Sequence, residues 1–158
     1  MTTTTDKDFK AALLKLNTAQ QRQLAAGFVA RVLDLSDDSR IKAAVELAAR
    51  SDVKAEELSR IAQAANTARV ESFTQCGRET DWTAQAGHFV AKAAVACVRP
   101  ETDAGNLAWD AAMQARMART CQTVADGAGT ENQEAQAQYA LLDQLALLDP
   151  LLDVTKNS

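Results

Sequence analysis

Alanine occupies 33 of the 158 positions, while glycine supplies 6 and proline 2. That balance constrains the fold more than any other feature. Sheets need β-branched strands and turns rich in glycine and proline, and this chain is poor in both turn residues. Alanine loses no side-chain entropy in a helix and crowds no neighbour. The chain is therefore expected to be all-α. Its length suits one domain and suffices to bury a core without disulfides or a structural metal.

The helical pattern can be followed along the chain. Leu13, Leu14 and Leu16, then Leu24, Phe28, Val32 and Leu35, fall at helical spacing. Asn17 or Thr18 is suited to cap a helix running to about Leu35. Ser36 is expected to cap the next, with Asp37 and Asp38 in its positive first turn, and Ile41, Ala44, Val45 and Ala48 as its apolar face. A helix over about 53–76 carries Leu58, Ile61, Ala65, Ala68 and Phe73, with Gly77 as its C-cap. Thr80 opens a helix with Trp82, Ala86, Phe89, Ala93 and Cys97 on one face, which stops before Pro100. Thr102 or Asp103 caps a sixth helix with Trp109, Met113 and Met117 on one side and a flank of alanines from Ala108 to Ala118. Asp126–Gly129 is a turn, and Thr130 opens a last helix that Asp149-Pro150 ends.

The expectation is a compact bundle of about seven helices with short loops and antiparallel neighbours. Residues 1–6 are expected to be disordered, 7–149 to form the single helical domain, and 150–158 to be a loose tail. No period recurs a third time, so a solenoid is not expected.

Charge and cysteines exclude several functions. The net charge is −4, and lysines and arginines are scattered singly. A nucleic-acid binder needs a basic face, so no nucleic-acid partner is expected. Residues 1–130 are balanced, and the surplus lies in Glu131, Glu134, Asp143, Asp149 and Asp153. That segment could face a basic partner, although a solvated helix face is the simpler reading. The glutamines at 20, 21 and 23 and at 133, 136 and 138 also read as solvated. Cys76, Cys97 and Cys121 make no disulfide framework and suit a reducing cytoplasm as small buried hydrophobes. The first residues are not expected to be a signal peptide, and no apolar run of about 18 residues occurs, so no membrane partner is expected.

Catalytic patterns are sparse. His88 is the one histidine, and no metalloprotease, phosphate-loop or Cys-x-x-Cys motif occurs. A zinc site from the three cysteines and His88 would lack the close ligand spacing that structural zinc requires. No cofactor is expected. As a general base His88 would need an orienting carboxylate, and Ala84, Gln85, Ala91 and Lys92, its neighbours one turn away, supply none. Gly87 precedes it inside a helix, where glycine costs roughly 1 kcal/mol against alanine. Close approach of another segment is one explanation. A groove beside His88 for a ligand or partner is the other.

Trp109, Met113 and Arg116 form a second candidate patch. These residue types anchor interfaces when exposed. The alternative places Trp109 and Met113 in the core, with Arg116 reaching past them to solvent. Trp82 is expected to close the end of the bundle. The alanine flank at 108–118 could serve a homodimer as well as a core.

The segments Arg40–Arg50, Ala86-Gly87-His88-Phe89-Val90-Ala91-Lys92-Ala93 and Ala108-Trp109-Asp110-Ala111-Ala112 together resemble the small alanine-rich helical immunity proteins of bacterial polymorphic toxin systems, over roughly residues 36–120. That family often carries a second histidine after the Gly-His step, where this chain has Cys97 or nothing. The resemblance implies a non-enzymatic binder that neutralises a cognate toxin, with His88 near a shared site. The expected function is thus that of a cytoplasmic helical protein, not an enzyme, acting through protein–protein contact. The alternative is a small-molecule or cofactor binding bundle with a pocket near His88, Phe89, Trp109 and Met113.

Overall fold

Polar side chains start the helices where the spacing predicts them, within a few residues. A computed structural model describes residues 2–76 and 81–148. Among these, seven α-helices follow one another: α1 (Asp6–Leu14), α2 (Thr18–Ala30), α3 (Ser39–Ala48), α4 (Ala55–Cys76), α5 (Trp82–Cys97), α6 (Leu107–Ala125) and α7 (Glu134–Leu148). Asn17 and Gln20 form a reciprocal capping box at the start of α2, each side chain accepting from the other's backbone N–H at 2.8 and 3.0 Å. Thr5, Asp38, Asp81 and Asn106 cap α1, α3, α5 and α6.

Several boundaries differ from expectation. Helix α2 stops at Ala30, and Leu33–Leu35 form a separate 3₁₀ turn. Val32 breaks the helix at φ −115° and ψ 6° and is fully buried there. The cap of α3 is Asp38 rather than Ser36. The cap of α6 is Asn106 rather than Thr102 or Asp103, because Glu101–Asp103 form a 3₁₀ turn and Gly105 takes a left-handed φ of 52°. Arg99 holds that loop by donating to the Ala104 carbonyl and to Asp110. Helix α7 starts at Glu134, whose N–H is taken by Asn132. The expected roles of Gly77, Thr80 and Asp149-Pro150, and the loose tail over 150–158, lie outside the described residues.

Within the described residues, the segment expected to be disordered over residues 1–6 makes a long-range contact. The Thr3 hydroxyl and N–H both donate to Asp143, and Asp6 begins α1. The local composition of four threonines does not disclose this pairing.

Helix α5 lies at the centre and packs on α2, α3, α4 and α6. Its contact with α6 is the most extensive in the molecule and is built of alanines. Ala93 and Ala94 on α5 and Ala108, Ala111, Ala112, Ala115 and Ala118 on α6 are all fully buried. Larger side chains (Phe9, Leu13, Phe28, Ile41 and Leu142) fill the space between the remaining helices. Among the described residues no helix is long and apolar enough to cross a membrane.

Two expected solvated positions prove to be internal ties. Gln21 is buried and donates to the Leu16 carbonyl, while its Oε1 accepts from the Ala108 N–H in the first turn of α6. Gln138 is fully buried, donates to the Ala112 carbonyl and accepts from Arg116. Amides carry a donor and an acceptor, so each can satisfy backbone and side-chain groups at once.

Candidate functional site around His88

Gly87 and His88 sit on the face of α5 that looks toward the end of α4 and the turn Leu33–Asp38. The close-approach reading of Gly87 has a direct cause. A Cβ placed there would stand 3.3 Å from the Leu35 carbonyl oxygen. Replacing Gly87 by alanine should therefore change stability by less than about 0.5 kcal/mol, since the roughly 1 kcal/mol gained in helix propensity is offset by displacing a backbone carbonyl. A urea titration showing the full gain would mean that crowding at Leu35 is not why glycine stands there.

His88 is 8% exposed. Its Nδ1 lies 2.8 Å from Ser72 Oγ, and the Ser72 hydroxyl lies 2.8 Å from the Arg69 carbonyl. A serine has one hydroxyl proton. Both bonds form together when Ser72 donates to Arg69 and His88 donates from Nδ1. In that tautomer His88 holds the serine as an acceptor and does not draw off its proton. In that arrangement the pair is a positioning contact. Sequence reasoning missed Ser72, although a hydroxyl on the helix before a buried histidine is a usable signal once the helix pairing is known.

Phe73 and Phe89 flank the imidazole, with centroids at 5.6 and 6.0 Å. Burial lowers the His88 pKa from its ordinary 6.5, and the charges of Lys92 and Arg69 lower it further. The sign follows from proton linkage. Above about 6.5 both folded and unfolded imidazoles are neutral. As the pH falls through that value the unfolded chain takes a proton that the folded one refuses until lower pH, so stability is lost. Asp6, Asp38 and Glu71, held down chiefly by their arginine partners, lose their contributions lower still. His88→Gln should flatten the stability profile just below 6.5 and leave the lower limb unchanged. Denaturant midpoints measured across this range test it, and coincident slopes for both proteins would refute the assignment.

Beside His88 lies a hollow of about 470 Å³. Asp37, Asp38, Glu71 and Asp81 line it, and no lysine or arginine does among the described residues. Arg40 bridges Asp38 and Glu71 at 2.7 and 2.6 Å from the margin. Asp81 is occupied in capping α5. Around the same α4–α5 end, Val70, Phe73 and Trp82 are 48%, 63% and 43% exposed. Trp82 therefore does not close the bundle as expected; its position in the first turn leaves much of the indole at the surface.

Trp109, Met113 and Arg116 do not join this site. Trp109 packs on Phe9 at 6.1 Å with the Lys10 ammonium over its ring. Arg116 grips Asp6 through two nitrogens, donates to Gln138 and lies over the Phe9 and Tyr139 rings. It fastens α1 and α7 to α6. Met113 borders a separate hollow with Lys92 and Arg99. No described cavity joins His88 to Trp109 and Met113. Their positions on different helix faces are the reason, and periodicity within each helix does not reveal it.

Cys97 is fully buried, and burial pushes its thiol up to about 12, so it stays protonated. Cys121 is also buried. Among the described residues no three of His, Cys, Asp and Glu come together as a metal site. Comparison with family models, with curated proteins and with solved structures finds no match to this chain.

Proposed function

We propose that this chain acts by binding a protein, without catalysing a reaction, and that the α4–α5 end is its contact face. The observation carrying this reading is a hollow lined by four carboxylates at the end of the molecule where Phe73, against His88, and Trp82, in the first turn of α5, are also exposed. Exposed aromatic groups near a carboxylate cluster, of which Arg40 pairs Asp38 and Glu71, supply both burial and electrostatic selection. The occupant that fits is a lysine- or arginine-bearing segment of the partner. The resemblance to helical immunity proteins makes a toxin domain the first class of partner to try, and a cytoplasmic setting suits the free thiols.

The test uses the full chain as bait in a lysate of its own host, in parallel with Asp37→Lys/Glu71→Lys, with Trp82→Ala, and with Met117→Ala as a control on another exposed position. A protein retained in fixed ratio by the wild type and the control, lost with both face variants and released by about 0.5 M salt, supports the reading. An empty bait, or a partner kept undiminished by the face variants, overturns it.

A further inference from the structure

A further cavity lies away from His88, a groove of about 690 Å³ between α2, the start of α4 and the turn at Pro100. Val53, Leu58, Ala62, Val98 and Pro100 give it apolar walls. Cavities of this size and lining are where small organic ligands bind.

Arg22 lines this groove and is only 6% exposed. It stands on α2 with Thr18, Ala19, Ala25 and Ala26 as its neighbours one turn away. Its Nη1 donates to the carbonyls of Cys97 and Arg99 at 2.8 and 2.9 Å, at the negative end of α5. Its Nε and Nη2 make no hydrogen bond among the described residues, and no described carboxylate lies within ion-pair distance. The neighbouring Cys97 thiol is neutral and provides no anion. Arg50, also in the groove, is committed to Asp52 and Glu57. Glu101 lies on the rim, beyond ion-pair distance of Arg22.

The two unbonded guanidinium nitrogens are not buried without a partner but open onto the groove, and a planar fork of this kind suits a carboxylate. From these placements we infer that the groove binds a small organic carboxylate, its charged end on Arg22 and its hydrocarbon body along Leu58 and Val98. The Glu101 carboxylate repels such a ligand at the entrance and tunes its affinity downward. This site is independent of the face around His88.

Octanoate and octanol, titrated calorimetrically into the full chain at neutral pH, test the inference. Octanoate should saturate one site, with octanol binding roughly tenfold or more weakly. Glu101→Gln should tighten octanoate a few-fold, and Arg22→Gln should weaken it roughly tenfold or more. No octanoate binding, equal binding of acid and alcohol, or octanoate binding unchanged by Arg22→Gln would overturn the inference. Should Arg22→Gln fail to fold (far-UV circular dichroism reports this), the acid–alcohol comparison on the wild-type chain and the Glu101→Gln titration decide the matter.

Discussion

Ala111→Leu is expected to lower the free energy of unfolding by about 3 kcal/mol, a large part of the ~5–15 kcal/mol that holds a domain of this kind together. Ala111 is fully buried on α6, as are Ala108, Ala112, Ala115 and Ala118 along the same helix. Helix α5, closely packed on α6, carries the fully buried Ala93 and Ala94. Methyl groups meeting methyl groups let two helix axes approach to roughly 8 Å, the short end of the usual range. Three added heavy atoms then have nowhere to go except by parting α5 from α6. Since α5 also contacts α2, α3 and α4, the strain reaches the whole core. The same substitution at Ala140, exposed on α7, should alter stability by less than about 0.5 kcal/mol. Urea unfolding of both variants tests this, and equal midpoints would mean that the alanine seam is loosely packed.

Glu134→Ala is expected to cost about 3 kcal/mol through a different cause. The Glu134 side chain is 1% exposed and receives Arg31 Nε at 2.7 Å and Arg119 Nε at 3.0 Å, one on each oxygen. Arg119 also donates to the Arg31 carbonyl, so α2, α6 and α7 meet at this carboxylate. Removing it leaves two guanidiniums facing each other. Arg31 is 42% exposed and recovers water, which keeps the loss at the lower end of what breaking a buried pair costs. Arg31→Ala should accordingly cost only about 1 kcal/mol. Glu131→Ala, at an exposed position three residues earlier, should be near neutral. If calorimetric melting of Glu134→Ala and Glu131→Ala gave the same midpoint, the buried carboxylate would not be the anchor of α7.

Glu134 also shows why the acidic C-terminal segment cannot be read from charge counting. Its five carboxylates look alike in sequence, yet Glu134 turns inward onto two arginines and Asp143 receives Thr3, while Glu131 stays in solvent. Charge pattern reports a helix face only when the partner helices are known.

The candidate site divides in the same way. Gly87 and His88 were visible as an irregularity within a helical pattern, because glycine inside a helix has a known cost. What meets them, the Leu35 carbonyl and Ser72, comes from two other elements and was not visible. Arg22 left a fainter signal as a lone charge with three alanines one turn away. Arg116 had the composition of an interface anchor but is spent on Asp6 and Gln138. Residue type shows what a side chain can do, and only its neighbours decide what it does.

Local rules were enough to establish an all-α fold of about seven helices, the number found among the described residues. Alanine content, apolar periodicity and capping residues each act over one or two turns, and all are written in consecutive residues. Which helix faces meet, which glutamines and carboxylates turn inward, and where the two cavities open depend on contacts between residues far apart in the chain. Those contacts arise from packing many small apolar surfaces around α5 at once, so they were decided only by the tertiary structure.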